Sequence, residues 1–471
     1  MNQSRRSFIR QSALASTAFG AFTISGTKSS GKVIGANERV NVAVCGIKGR
    51  GAAHIGGHGR QKNVTISHLV DPDSSLYDGR KKFVASKFKN TPECVQDVRK
   101  ALDNKDVDVI SIATPNHWHS LMSIWACQAG KDVYVEKPLS HNIFEGGKLV
   151  EAAKKYGRIV QHGTQNRSIQ RWADQAQEIA AGKHGKLEVA LGTCHKRRGS
   201  IGFKKTEKPP AALDFDIWTG PAEKEDFHKN LVHYNWHWFW KYGNGDIGNQ
   251  GVHQMDIARW MIPGARWPKS VVSVGGRFGY EDQGETANTQ LTIFDYGESL
   301  LVFDVRGLSG KSNMGVSNKT YFDKNASQQT SKSYDMKGIR NPLSDRGKGD
   351  IFENFIHAVR SRKTEDLNAH VYEGHVSSGL CHLANVSYQL GEKQGFNKKT
   401  NAFGNNKKAS EYFERMKEHL KENGLKLEDT DYVVGRTLEF DSKTESIKGD
   451  DEANNLLTRN YRAPFVVPEK V

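Results

Sequence analysis

The stretch "VNVAVCGIKGRG", residues 40–51, decides the fold. A short, β-branched apolar run ends in a turn punctuated by Gly46, Gly49 and Gly51. A strand followed by such a turn and a helix is the arrangement in which backbone can approach a pyrophosphate, with the N–H groups of the helix start turned toward it. The usual spacing is G-x-G-x-x-G, and here Lys48 holds the middle glycine's place. The next apolar run, "VTISHLVD", ends in Asp71, twenty residues beyond Gly51. An acid there accepts the ribose hydroxyls and repels a 2′-phosphate, so NAD is expected over NADP.

Outward from this stretch, residues 40–160 alternate β-prone runs ("VDVISIATP", "DVYVEKP") with helical patterns. That alternation predicts crossover units on a parallel sheet. After about residue 165 the strands lengthen ("LEVALGTCHK", "SVVSVGGRFGY", "TQLTIFDYG", "SLLVFDVRG") and Gly, Asn and Asp turns separate them. The expected fold class is therefore α/β: an N-terminal Rossmann parallel sheet plus an α+β domain with an open, largely antiparallel sheet. Residues 37–163 form the first of these domains and 164–395 the second. A Lys-, Asn- and Glu-rich appendage follows at 396–471, with a helix at "SEYFERMKEHLKEN".

A chain of 471 residues suits two domains plus extensions. With 37% hydrophobic and 26% charged residues it reads as globular. Past the first forty residues no apolar run approaches the roughly 18 that span a bilayer. The formal charge of +15 is spread among Asn, Glu and Ser and forms no concentrated basic face, so no nucleic-acid partner is expected. Five cysteines with no C-x-x-C and no paired histidines indicate buried thiols, with no metal site and no disulfide framework. Residues 1–36 have the three parts of an export leader: Arg5 and Arg6, then "ALASTAFGAFTISG", then small residues. The arginine pair resembles a twin-arginine signal, so a periplasmic or otherwise exported location is expected. Such a route carries proteins already folded.

Three further stretches are expected on one face, the carboxyl ends of the parallel strands, where open sheets bind ligands: "TPNHWH" (114–119), "EKP" (136–138) and "GDIGNQGVHQMD" (245–256). With these the chain, over roughly residues 38–390, resembles the Gfo/Idh/MocA superfamily of sugar and polyol oxidoreductases. The resemblance implies that Lys137 lies beside the nicotinamide ribose and the substrate hydroxyl, with Glu136 next to it. It further implies that Asn116 and His119 line the nicotinamide pocket, and that His253 takes or gives the hydroxyl proton. The chemistry asks for the same residue types, since a secondary alcohol losing hydride needs a base for its proton and a cation near its oxygen. Alternative roles stay open: Lys137 as an ion-pair partner of Glu136, His253 as a core histidine, and Asp256 either orienting the His253 ring or serving packing. Many members carry Asp four residues before the histidine; Asn249 stands there instead, and it cannot accept a proton at neutral pH.

In "HYNWHWFWKYGNG" (233–245), alternation in an extended segment would put Trp236, Trp238 and Trp240 on one side, to stack on sugar C–H faces or to pack a core or interface. Arg197 of "HKRRG" is a further candidate substrate contact. The functional expectation is an NAD-dependent oxidoreductase acting on a secondary hydroxyl of a sugar or glycoside, as a homo-oligomer with tightly held cofactor. A redox-neutral NAD-recycling glycosidase of the same superfamily and a non-catalytic sugar-binding module are its alternatives.

Overall fold

The computed structural model describes residues 39–311, 314–323, 329–331 and 350–471; the leader expected at 1–36 lies outside the described residues. The β-prone runs of the first domain form six parallel strands: β1 (Val40–Cys45), β2 (Val64–Val70), β3 (Glu93–Val95), β4 (Val109–Ile112), β5 (Asp132–Val135) and β6 (Val160–His162). Their order is β3-β2-β1-β4-β5-β6. β4 and β5 are buried at every position, which is why they read as unbroken apolar runs: helices cover both faces. The order reverses between β1 and β4, and a ligand crevice opens there at the carboxyl ends.

One face of this sheet packs on Ile55 of helix Gly49–Gly59 and on Phe352 and Phe355 of helix Ile351–Ser361. The other packs on helices Asn116–Gln128 and Ile143–Lys155. Thus a helix from far along the chain completes a domain whose sequence-read boundary was residue 163. Asp350 caps that helix, accepting from the N–H groups of Phe352 and Glu353.

The second domain is a mixed sheet of β7 (Leu187–His195), β8 (Ser270–Gly276), β9 (Thr289–Asp295), β10 (Leu300–Arg306), β11 (Val316–Phe322), β12 (Gln329–Ser331), β13 (Glu392–Gly395) and β14 (Asp431–Val434). The order is β12-β11-β7-β10-β9-β8-β14-β13. Its pairs are antiparallel except β7 with β10. One face buries Phe294, Leu301 and Phe303 beneath helices Gly251–Met261 and Val371–Gln389. Helix Lys407–Glu422, the appendage helix, covers the opposite face through Tyr412, Phe413 and Met416. The last residues then return to the first domain, where Phe465 and Val467 join the core around Trp118.

Candidate active site

The glycines of the first turn do two different jobs. Gly46 has a positive φ of 77°, and a Cβ on it would lie 2.5 Å from the Ala113 carbonyl oxygen; one on Gly51 would lie 1.8 Å from the Gly46 oxygen. Both are demanded by the chain's own packing. At Gly49, which opens helix Gly49–Gly59 against the cleft, a Cβ would meet nothing within 4 Å. No side chain caps that helix, so its first N–H groups are left to an external acceptor. Empty space above a glycine, beside uncapped N–H groups, fits the pyrophosphate of a dinucleotide.

Asp71 directly follows β2 on the cleft wall, where its carboxylate accepts from the N–H groups of Ile47 at 2.9 Å and Asp73 at 3.0 Å. Burial outweighs those bonds and pushes its pKa up to about 6. Below that pH the carboxyl is protonated and loses an acceptor for ribose. NAD affinity of nucleotide-stripped protein is therefore expected to be flat above pH 7 and to fall with pH below about 6. Calorimetric titration checks this, and an Asp71→Asn variant should lose the dependence.

The cleft is a cavity of about 440 Å³ lined, among others, by Gly46, Gly49, Asp71, Asn116, His119, Glu136, Lys137, Trp236 and Asn249. Asn116, at the first turn of helix Asn116–Gln128, donates to Asn244 Oδ1 at 2.9 Å. His119 is held between two carbonyls, Nδ1 2.6 Å from Pro138 O and Nε2 2.8 Å from Thr114 O. It therefore ties the loop after β4 to the loop after β5. Glu136 accepts from Arg50 Nε at 2.6 Å and from the Lys137 N–H at 3.1 Å, and lies 3.1 Å from His54 Nε2. Burial alone would raise its pKa; the Arg50 guanidinium, with His54, overcomes that and holds it well below the carboxylate range.

Glu136 is thus occupied by Arg50 and His54, and the Lys137 Nζ turns away from it. Lys137 Nζ donates to the Asn249 carbonyl at 2.9 Å and to Asn249 Oδ1 at 3.2 Å. Burial lowers its pKa. His253 sits on helix Gly251–Met261, buried, with Nδ1 lacking a hydrogen-bond partner. Burial, reinforced by the Lys137 charge, lowers its pKa to about 3, so the ring is neutral at physiological pH.

Four candidate residues lie elsewhere than expected. The tryptophan segment is not extended: Asn235–Trp238 is a 3₁₀ turn with Trp240 beyond it, and the three rings have different partners. Trp236 lines the cleft and stacks on His237 at 3.6 Å. Trp238 instead faces the Arg198 guanidinium at 5.2 Å, and the Trp240 ring packs 6.4 Å from Tyr388. Arg197 is exposed, while its neighbour Arg198 is the residue bound inward, to Asp246 at 2.6 Å. Asp256 does not orient His253. Fully buried, it accepts from Arg167 Nε at 2.9 Å and Ser377 Oγ at 2.7 Å, a structural ion pair.

The sequence reading missed Asp73 and, in the roof of the cleft, Ile217 and Trp218; His233 and His237 it places beside the tryptophans as hydroxyl partners. Ile217, Trp218, His233 and His237, all from the second domain, cover the dinucleotide crevice, and His233 Nε2 lies 2.9 Å from Asp73 Oδ2. Among the described residues no helix is long and apolar enough to cross a membrane.

Comparison with known proteins agrees with this geometry. Residues 40–164 match the Gfo/Idh/MocA domain described as "Oxidoreductase family, NAD-binding Rossmann fold", and residues 197–422 match its "C-terminal alpha/beta domain". The scyllo-inositol 2-dehydrogenase (NAD(+)) of Bacillus subtilis is 35% identical over 36% of this chain and 39% of its own length. A glycosyl hydrolase family 109 protein of Shewanella pealeana is 28% identical over 26% of this chain and 28% of its own length. The matched stretches thus span well under half of either relative. The WlbA dehydrogenase of Bordetella pertussis, solved with NADH and UDP-GlcNAcA, shares the fold: TM-score 0.54, 17% identity, 73% of this chain and 94% of that one. With a matching NAD-binding Rossmann domain followed by a matching C-terminal domain, the chain belongs to the Gfo/Idh/MocA oxidoreductase family.

Proposed function

We propose that the protein is an NAD-dependent oxidoreductase acting on a secondary hydroxyl of a sugar or glycoside. The observation that carries the reading is the placement of Lys137. Its amine is fixed by Asn249 in the same cleft whose other wall holds the glycine turn and Asp71. NAD, when bound, supplies the hydride acceptor. The chain's own residues manage the proton.

Of the two candidate bases, His253 carries the costlier charge, since an imidazole at about 3 resists protonation near neutral pH. Lys137 starts from a far higher intrinsic basicity that burial brings down. The Lys137 amine takes the hydroxyl proton as the carbon loses hydride, leaving a carbonyl, and the Asn249 oxygens hold the ammonium that forms. His253, whose Nδ1 has no hydrogen-bond partner in the protein and whose ring feels the Lys137 charge, is the second group proposed to hold that hydroxyl. In reduction the proton returns from Lys137. NAD rather than NADP, and a sugar-type substrate, are parts of the same proposal; the first draws support from Asp71 and the second from the scyllo-inositol dehydrogenase relative.

A second reading, the redox-neutral NAD-recycling glycosidase, draws support from Asn249 in place of an acid and from the glycosyl hydrolase family 109 relative. The twin-arginine-like leader extends either reading to an exported enzyme that keeps and recycles its cofactor. Incubation with a panel of aryl glycosides and free sugars, without added NAD, separates the readings. Stoichiometric reduced nicotinamide with a keto-sugar and no phenol is the expected result. Phenol release with an unchanged nicotinamide spectrum assigns the glycosidase instead. Neither signal across neutral, amino and acidic sugars removes the enzyme reading in favour of a sugar-binding module.

A further inference from the structure

The roof of the cleft is fastened on both sides. Along one edge, Leu213 forms an antiparallel bridge to Asp73, the Asp214 N–H donates to Pro72 O at 2.9 Å, and the Ser74 N–H donates to Ala212 O at 2.9 Å. Along the other, Trp118 Nε1 donates to the Trp218 carbonyl at 3.0 Å, and His117 Nε2 lies 2.9 Å from the same oxygen. Ile217, Trp218, Val98, Trp118 and Met122 contribute an apolar slot to the cleft that Asp71 also lines. A base attached to the ribose that Asp71 holds would lie in that slot.

The C-terminal tail closes the second edge from outside. Arg462 donates through Nε to Gly220 O at 3.0 Å, through Nη2 to Asp216 O at 2.8 Å and through Nη1 to Asp216 Oδ1 at 2.9 Å. One guanidinium thus grips both ends of the short helix Phe215–Thr219, the piece of roof that bears Ile217 and Trp218. Arg462 itself lies over the Phe465 ring at 4.8 Å, and Phe465 is buried edge-on against Trp118 at 5.4 Å. Gly220 cannot shift inward, because even a Cβ there would lie 2.3 Å from the Trp118 ring.

We propose that the tail is a latch on the cofactor: Arg462, anchored through Phe465, positions the Phe215–Thr219 roof so that NAD leaves only when the tail releases. The inference rests on the reading of this cleft as the NAD site. It makes NAD a retained group and Arg462 a positioning residue that touches neither cofactor nor substrate.

The test uses the full chain loaded with NAD, freed of excess nucleotide and chased with labelled NAD in the absence of any sugar. Wild type is expected to exchange over hours. Arg462→Ala removes three hydrogen bonds and should speed exchange by about tenfold or more, with the thermal midpoint of the nucleotide-stripped protein little changed. Arg462→Lys keeps the charge without the fork and should fall between. A merely structural arginine would lower the midpoint and leave the exit rate alone. Should Arg462→Ala fail to fold, Arg462→Lys carries the comparison. Exit rates equal to wild type in the folded variants, or wild-type exchange within seconds, overturn the latch. Failure of every sugar to reduce the cofactor leaves these rates untouched and counts only against the oxidoreductase reading.

Discussion

Replacing Lys137 with methionine lowers the single-turnover rate of nicotinamide reduction by about 10³-fold, within the range of general acid–base catalysis, and leaves NAD bound. Methionine keeps the length and apolar stem of lysine and removes only the amine. What is lost is the proton acceptor that Asn249 holds through two oxygens. The dinucleotide contacts stay, because Gly46, Gly49, Asp71 and the uncapped helix start lie on other elements. The loss should appear in kcat with a small change in KM, the pattern of a group needed in the transition state. Single-turnover absorbance of the reduced nicotinamide measures the first quantity, and nucleotide released on denaturation measures the second. A variant within about tenfold of wild type would show that another group carries the proton.

The parts of this site legible in the sequence are those whose cause is local. The apolar run of β1, the glycine turn and Asp71 at the end of β2 lie within a few dozen residues, and each has a reason that a single turn or strand supplies. E-K-P and G-x-H could be assigned roles only through resemblance, because what Lys137 touches is Asn249, 112 residues away. The tryptophans show how a sound local rule fails. Alternation places side chains on one face only where a neighbouring strand keeps the backbone extended. Among the described residues no strand pairs with 235–238, which coil into a 3₁₀ turn. The contact of His233 with Asp73 joins residues 160 apart and leaves no periodic or motif signal, so the fold alone reveals the roof. The same holds for helix Ile351–Ser361, whose apolar face reads as any amphipathic helix until its partner, the outer face of the Rossmann sheet, is known.

Truncating Asp256 to alanine should cost about 3–5 kcal/mol of stability, the usual penalty for breaking a buried ion pair on one side. Asp256 is fully buried and accepts from Arg167 through both Nε and Nη2 and from Ser377 Oγ at 2.7 Å, with Arg259 Nη2 at 3.7 Å. Burial by itself would raise its pKa. The two guanidiniums, Arg167 first, more than cancel that and keep it ionised. Without the carboxylate, two arginines remain in the core with Glu373 as a shared partner, since Arg167 Nη2 reaches Glu373 Oε2 at 3.1 Å and Arg259 binds the same side chain. One carboxylate cannot neutralise both, and the uncompensated charge is what destabilises. A urea titration of Asp256→Ala reads the loss directly. The paired change Asp256→Leu with Arg167→Met should recover much of it, because a buried pair replaced as a unit by apolar residues of similar size leaves no orphaned charge. The experiment also separates the two roles that position 256 could have had. An acid that oriented His253 would, on removal, depress turnover and spare stability. An acid that neutralises Arg167 depresses stability, and the hydride-transfer rate of whatever remains folded stays near wild type. Stability within about 1 kcal/mol of wild type, together with lost turnover, would return Asp256 to the active site.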